Sequence, residues 1–219
     1  MSDSDEDSLE LNTVLEAPPS LDSPGANMGS LLTEDSLASV MARGAAVDSF
    51  LRLITRDCNF QDFMRELLLI VMKAVKSEAG SILEVNHSSN TLFFRAVVGQ
   101  SSDHLTKFTV PIGQGLAGHV AESRQPFVVD NISENKIHLK SIQKAVGFDA
   151  RNLVAMPIVV RGKIYGVLEL LNRVGESSFT PADVELLNYL CETMAKAIEA
   201  RLLIGWNAKS TSTSKKEAA

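Results

Sequence analysis

The spacing of apolar residues divides the chain into a helical start, a strand-rich middle and a helical end. From Thr33 onward, apolar residues recur at alternating steps of three and four, with one weak position at Gly44. This heptad-like stripe predicts an amphipathic helix. A second helix is predicted to begin after Asn59, a good cap residue, and to end at Gly80. The stripe consists of Leu37, Val40, Gly44, Val47, Leu51 and Ile54.

Short apolar and β-branched runs separated by polar turns fill the middle of the chain. A polar turn at residues 86–90 and the dipeptide Arg161-Gly162 each join two such runs, and both pairs are predicted to form hairpins. Close hairpins require antiparallel pairing, so the fold class is α+β. A short helix is predicted at residues 137–148. A last helix is predicted with Thr180 as its N-cap and Pro181 at its first helical position. The predicted strands cover residues 80–85, 91–98, 108–111, 126–129, 152–160 and 163–172.

Composition sets the domain boundaries. Residues 1–31 are rich in Asp, Ser, Pro and Gly and are predicted to form a disordered acidic tail, and residues 207–219 a disordered polar tail. Between them we predict a dimerisation helix at 32–57 and one domain at 58–206. The first 42 residues hold nine acidic and no basic side chains, so the remainder carries 21 basic against 27 − 9 = 18 acidic groups. That small excess creates no strong field for nucleic acid.

Two further observations concern the environment of the chain. No apolar run approaches the roughly 20 residues that a membrane span needs. The only cysteines are Cys58 and Cys191, a count that gives neither a disulfide framework nor a cysteine-built metal site. We therefore expect a cytoplasmic protein with no membrane or nucleic-acid partner and no cofactor.

Three glycines reproduce the G-x-G-x-x-G spacing of a dinucleotide-binding fingerprint. They are Gly113, Gly115 and Gly118. A dinucleotide site needs a parallel strand–helix–strand unit of about 30 residues, whereas all three predicted elements fit within residues 108–130 here. We interpret the first two glycines as a sharp strand-to-helix turn and the third as a close helix–sheet contact. An anion site at the backbone N–H groups of this helix start stays open.

Three separated blocks of the chain, residues 113–131, 142–173 and 179–187, together resemble the GAF domain family. They read "GQGLAGHVAESRQPFVVDN", "IQKAVGFDARNLVAMPIVVRGKIYGVLELLNR" and "FTPADVELL". The pattern is closest to the GAF domains of cyclic-nucleotide phosphodiesterases and bacterial adenylate cyclases. The resemblance implies a six-stranded antiparallel sheet with the terminal helices on one face and a small-molecule pocket under short helices on the other. It also implies a homodimer formed through the terminal helices that regulates an attached or separate effector protein.

The family signature, N-K followed at a distance by F-x-x-x-D-E, is partly kept. Its positions fall on Asn172, Arg173, Phe179 and Asp183, and Val184 replaces the final glutamate. Arginine keeps the positive charge that pairs with the aspartate in the family. Asp183 is also placed as a capping-box acid of the last helix. We interpret the motif as a structural brace and not as a reacting group.

The pocket of the family carries over only in part. The resemblance assigns ligand contacts to Ser81 on the first strand, to the backbone of Leu116 and Ala117, and to Glu169 on the last strand. At three further positions cyclic-nucleotide binders have polar Asp or Thr, and each lost partner costs about 1–3 kcal/mol. Cyclic AMP and cyclic GMP are therefore disfavoured against a more apolar ligand or none. The three positions are occupied by Gln143, Val146 and Ala150.

The sequence favours a non-catalytic regulatory protein that senses a small molecule, dimerises, or does both to control a separate effector. A cyclic-nucleotide receptor with a degenerate pocket is one alternative. A thiol-based methionine-sulfoxide reductase is another, although neither Cys58 nor Cys191 matches the loop cysteines of those enzymes. His119 and His138 border the expected pocket, but no second ligand cluster supports a haem or metal site, so we interpret both as structural.

Overall fold

The computed structural model describes residues 34–99, 108–132 and 149–217, and the side chains of residues 37–204 within those ranges. The predicted acidic tail at 1–31 and the predicted helix at 137–148 lie outside the described residues. The elements are α1 (Glu34–Thr55), α2 (Phe60–Val75), β1 (Ser77–Asn86), β2 (Thr91–Val98), β3 (Thr109–Pro111), α3 (Gly115–Ser123), β4 (Phe127–Val129), β5 (Leu153–Val160), β6 (Lys163–Arg173) and α4 (Pro181–Glu217).

The start of α2 follows the prediction, and its end does not. The Asn59 side chain accepts a hydrogen bond from the Asp62 backbone N–H at 2.8 Å. The helix ends at Val75 because Lys76 adopts a left-handed conformation, with φ 54°. Gly80, predicted to end the helix, lies inside β1, where a Cβ atom would come within 2.8 Å of Leu170 Cδ2. Gly80 is thus required by packing within the sheet and not by a helix end.

The six strands form one antiparallel sheet in the order β3-β2-β1-β6-β5-β4. Both predicted hairpins are present, β1 with β2 and β5 with β6, and Arg161 and Gly162 take the positive φ values that a two-residue turn needs. The α+β class is confirmed. Since β3 and β4 lie at opposite edges of the sheet, residues 108–130 form no parallel crossover.

Helices α2 and α4 pack on one face of the sheet and α1 packs against both of them, and we call this side of the sheet the three-helix face. Two phenylalanines, Phe50 of α1 and Phe63 of α2, are fully buried in this core, and Leu187 of α4 joins them. The fully buried residues of α1 do not belong to the heptad-like stripe, although Ile54 at its end packs against the core. Leu37, Val40 and Leu51 of that stripe point to solvent.

Helix α4 is longer than predicted. The sequence suggested an end near Trp206 followed by a disordered tail at 207–219, but the helix continues to Glu217. No glycine or proline occurs between residues 206 and 217, so the local sequence contains no residue that ends a helix. None of the described helices is long and apolar enough to cross a membrane.

Candidate functional site

The opposite face of the sheet is covered by α3, and we call it the α3 face. Its buried side chains form a second core, separate from that of the three helices. Strands β1, β2, β5 and β6 supply the floor, and Leu116 and Val120 of α3 close it from above. The members of this core are Leu83, Val85, Leu92, Phe94, Leu116, Ala117, Val120, Ala121, Val129, Ile132, Ala150, Leu153, Ala155 and Val167.

The three glycines bring α3 close to the sheet, as the sequence predicts. Gly113 and Gly115 have φ values of +82° and +63°, which only glycine adopts readily. The Gly113 N–H donates to the Gly118 carbonyl oxygen at 2.9 Å. A Cβ atom on Gly118 would lie 2.4 Å from the Pro111 carbonyl oxygen, so no larger residue fits between helix and strand.

A carboxylate and a hydroxyl meet in the middle of the α3 face. The Ser81 hydroxyl donates to Glu169 Oε2 at 3.3 Å. The two residues are direct cross-strand partners on β1 and β6. Their neighbours in the same row are Val97 on β2 and Ala155 on β5, both apolar. The sheet therefore offers one ionisable group and one hydroxyl in otherwise apolar surroundings.

Burial raises the pKa of Glu169 to about 7, and the hydrogen bond from Ser81 opposes that shift only in part. The residue keeps a partly accessible surface, while its carboxyl group lies deep enough for lost hydration to dominate its ionisation. Its cross-strand neighbours, Ser81 and Ala155, offer the carboxylate no opposite charge that would offset the lost hydration. Near neutral pH the group is close to its midpoint and accepts or donates a hydrogen bond.

The other ligand contacts expected from the sequence fall into two groups. Leu116 and Ala117 begin α3 and are buried over the α3 face, and Ala150 is buried in the same core. Gln143 and Val146 lie outside the described residues. Ile132 and Arg151 lie together beside this face, because the Ile132 N–H donates to the Arg151 carbonyl oxygen at 2.9 Å.

Asn172 holds the segment before β5, residues 149–151, next to the α3 face. It is buried and takes a φ of +57°, which turns its side chain toward residues 149–151. Its Nδ2 donates to Glu78 Oε2 at 2.8 Å and to the Asp149 carbonyl oxygen at 2.9 Å. Its Oδ1 accepts from the Arg151 N–H at 2.8 Å. One amide side chain therefore joins β1, β6 and the segment that precedes β5.

The sequence analysis missed Asn152, which is buried beside Asn172. Its Nδ2 donates to the Ser177 carbonyl oxygen at 2.8 Å, and its Oδ1 accepts from the Arg173 N–H at 2.9 Å. A polar amide directly before the apolar run of β5 was the available signal, because a buried amide needs partners from elsewhere in the fold.

Arg173 turns to the other side and holds the start of α4. Its Nε lies 3.0 Å from Asp183 Oδ2, and both side chains are largely buried. The Thr180 hydroxyl accepts from the Asp183 N–H at 3.2 Å, and the Thr180 N–H donates to Asp183 Oδ2 at 2.9 Å. Phe179 is buried in the three-helix core. The four motif residues thus connect the two faces of the sheet.

The remaining reactive side chains lie elsewhere. His119 is on the exposed side of α3, edge-on to Phe127 with ring centroids 6.0 Å apart. Cys191 is buried in the three-helix core, where lost hydration raises the pKa of its thiol to about 12. Cys58 lies between α1 and α2, with its Sγ 3.8 Å from a guanidinium nitrogen of Arg201. Within the part of the chain that is described, no three His, Cys, Asp or Glu side chains group as a metal site requires.

These features define a GAF domain, and comparison with known families agrees. The family model described as "GAF domain" matches residues 59–199, more than half of the chain. The chain belongs to the GAF domain family.

Curated relatives with similar sequence are cyclic-nucleotide phosphodiesterases. The cone cGMP-specific 3',5'-cyclic phosphodiesterase subunit alpha' of Bos taurus is 31% identical over 78 residues, which are 36% of this chain and 9% of that protein. The dual 3',5'-cyclic-AMP and -GMP phosphodiesterase 11 of Drosophila melanogaster is 27% identical over 133 residues, 60% of this chain and 9% of that protein. The matched region is therefore about a tenth of the length of each relative.

Solved structures share the fold at lower identity. The GAF domain of a phosphoenolpyruvate-protein phosphotransferase from Coxiella burnetii superposes with a TM-score of 0.63 at 18% identity, covering 75% of this chain and 97% of that one. Free methionine-R-sulfoxide reductase from Neisseria meningitidis, solved with its substrate, gives 0.59 at 17% identity, covering 80% and 96%. At such identities the likeness shows the fold alone.

Proposed function

We propose that this chain is a non-catalytic regulatory GAF protein of the cytoplasm that binds a small molecule on its α3 face and controls a separate effector. The observation that carries the proposal is the Glu169–Ser81 pair, set between apolar rows beneath α3. A single carboxyl group among apolar side chains is suited to orient a mostly apolar ligand through one polar contact. Bond cleavage by Ser81 would also require a third group that orients its base, and among the described residues no histidine is hydrogen-bonded to this pair.

A route from the ligand face to the helices supports the regulatory role. Asn172 holds residues 149–151, next to the α3 face, and the adjacent Arg173 holds Asp183 at the start of α4. A ligand that displaces the segment before β5 therefore acts on a motif that also anchors the longest helix. Because Asn172 and Arg173 are adjacent in the backbone, a displacement of the Asn172 contact also displaces the Arg173–Asp183 contact, and the reverse.

The exposed surface of the helical layer supports a homodimer. Leu37, Val40 and Leu51 of α1 are exposed, and so are Leu202 and Leu203 of α4. Several large apolar side chains exposed on the helices of one layer are typical of an association site. We infer that two copies pair through this layer and that ligand binding alters the pairing or its availability to the effector.

A cyclic-nucleotide receptor is the second candidate. It is favoured by the relatives, whose names describe cGMP-specific and dual-specificity phosphodiesterases. Against it, Ala150 offers only a methyl group at a position where cyclic-nucleotide binders have a polar residue. A methionine-sulfoxide reductase is less favoured, because neither cysteine lies on the α3 face. Cys191 is buried in the three-helix core, and Cys58 packs against the same core.

The test begins with native mass spectrometry of gently purified full-length chain, which we expect to show one small molecule per chain. Isothermal titration calorimetry with cyclic AMP and cyclic GMP then separates the two candidates, and saturable heat with either supports the receptor. Glu169→Gln should weaken binding of the retained molecule about tenfold, the effect of about 1.4 kcal/mol. Glu192→Gln, an exposed glutamate of α4, is the matched control. A chain that carries and binds nothing would refute ligand sensing.

A further inference from the structure

Helix α1 presents two opposite faces. At about 100° per residue, steps of seven place Leu37, Gly44 and Leu51 on one line along the helix. The buried residues Ala46, Phe50 and Leu53 lie about 120–180° away from Gly44 around the same helix. Leu37 and Leu51 are 50% and 60% exposed, and Val40 beside them is 57% exposed. Gly44 is therefore the midpoint of the line that points directly away from the domain.

Nothing within the described chain accounts for glycine at position 44. A Cβ atom added there would meet no atom within 4 Å, whereas at Gly118 and Gly166 it would lie 2.4 and 2.0 Å from a backbone oxygen. Gly44 lies in the interior of a 22-residue helix, where glycine is among the least favourable residues. A glycine that its own fold does not need is explained if another backbone approaches it closely.

We propose that the outer face of α1 is covered by α1 of a second copy, and that the two helices cross with Gly44 against Gly44. The inference rests on the proposed homodimer and locates its contact. Because Leu37 and Leu51 are each seven residues from Gly44, they flank the crossing in either orientation of a two-fold pair. If the helices are parallel, Leu37 faces Leu37 of the second copy and Leu51 faces Leu51. If they are antiparallel, Leu37 of one copy faces Leu51 of the other.

The neighbouring part of α4 is less suited to this contact than α1 is. Its outward side between residues 185 and 196 is mostly polar and exposed, with Glu185, Asn188, Glu192 and Lys196, and Tyr189 there packs under Arg43 of the same chain. On α1 itself, the one acid close to the line is Asp48, and Arg52 neutralises it at 2.9 Å. Spacing of apolar residues by sevens is the pattern that packs against a helix of the same repeat. A second copy of this chain supplies that helix.

Sedimentation equilibrium of the full chain tests the crossing, because two kinds of helix pair predict opposite signs. In an ordinary heptad seam, a leucine at position 44 adds an apolar contact and tightens the dimer. In a close crossing it forces the helices apart. We expect Gly44→Leu to raise the dimer dissociation constant at least tenfold and Gly44→Ala to raise it a few-fold. Ala38→Leu, which also introduces a leucine but on the exposed flank of α1, should leave the constant within about twofold.

Two outcomes overturn the inference in distinguishable ways. If Gly44→Leu pairs as tightly as the native chain, or more tightly, the helices do not cross at Gly44 although the homodimer stands. Leu51→Asp should dissociate the dimer in either geometry, so a dimer that survives this change is formed through another surface. A native chain that is monomeric at all micromolar concentrations, with its helices intact by circular dichroism, removes both the homodimer and the crossing.

Discussion

Two carboxylates of the same sheet are placed in very different surroundings. Glu84 of β1 faces the three helices and accepts from Arg95 Nε at 2.6 Å and from the Tyr165 hydroxyl at 2.7 Å. Glu169 of β6 faces α3 and accepts from the Ser81 hydroxyl at 3.3 Å. The first group has a cation and a short hydrogen bond, as a structural carboxylate should. Among the described residues, the second receives one long bond from a neutral group, so its remaining hydrogen-bonding capacity suits a ligand.

The same division extends to the two layers. The three-helix face is closed by α2 and α4, whose core side chains are almost completely buried. Among the described residues, the α3 face is covered by one helix of nine residues, held close to the sheet by glycines. Because that cover is smaller, we expect changes in the three-helix core to cost more stability than matched changes on the α3 face. Four predictions test this difference.

The largest effect is expected in the three-helix core. Phe63→Ala removes a ring that is 0% exposed, and we expect it to lower the free energy of unfolding by about 3–5 kcal/mol. Phe94→Ala on the α3 face is the matched change, and we expect a smaller loss because α3 is short and can settle into the space. Urea denaturation of both variants measures the difference. Equal losses would contradict the division of roles.

The Arg173–Asp183 pair should come next. Arg173→Met leaves a largely buried aspartate without its cation. Losses of about 3–5 kcal/mol follow when such a pair is broken, but Thr180 still donates to Asp183, so we expect about 2–3 kcal/mol. Arg161→Ala removes an arginine from the more exposed pair with Glu199 and should cost less than about 1 kcal/mol. Similar losses for both variants would show that the motif pair is no more than a surface contact.

Much of this fold was predictable because local signals and tertiary packing agree. The two hairpins, the Asn59 cap and the glycine-rich start of α3 each depend on residues close in sequence. Gly80 was assigned wrongly, because its role comes from Leu170 on another strand and nothing local reveals that contact. The polar composition of residues 207–217 predicts an end of α4 that is too early, because this stretch contains no glycine or proline to break the helix.

The sequence predicted most residues of the candidate site but not how they are arranged. Ser81 and Glu169 were named from separate strands, and their registry as cross-strand partners required the sheet itself. Asn152 was missed because its partners, Ser177 and Arg173, lie more than 20 residues away along the chain. The side of α1 that enters the core was also not evident, since Ala46, Phe50 and Leu53 interleave with the more regular outer stripe.

The close contact beneath α3 should have a smaller but clear effect. Gly118→Ala places a Cβ atom 2.4 Å from the Pro111 carbonyl oxygen, so helix and strand must separate. We expect a loss of about 2 kcal/mol in the free energy of unfolding. Gly175→Ala is the control, because Gly175 has a φ of +85° but open space around it, and should cost about 1 kcal/mol from backbone strain alone. A ligand of the α3 face should bind more weakly to Gly118→Ala and normally to Gly175→Ala.

The smallest effect has the most informative sign. The pKa of Glu169, raised to about 7, lies above the ordinary value of 4.5, so the folded protein holds this proton more tightly than the unfolded chain does. The contribution of protonated Glu169 to the free energy of unfolding is fully present below about pH 4.5. It is lost as the pH rises through about 7. At pH 8, Glu169→Gln should therefore be more stable than the native chain by about 1–2 kcal/mol, with the gain vanishing near pH 4.

Glu84→Gln gives the opposite sign at pH 8, because it leaves Arg95 without its carboxylate, and we expect a loss of about 2 kcal/mol. Urea denaturation of the native chain and both variants at pH 4, 6 and 8 measures these differences. Other titrating groups are common to all three proteins and cancel in the comparison. If Glu169→Gln is destabilising at pH 8, the carboxylate of Glu169 is satisfied within the fold as Glu84 is, and it has no unused capacity for a ligand.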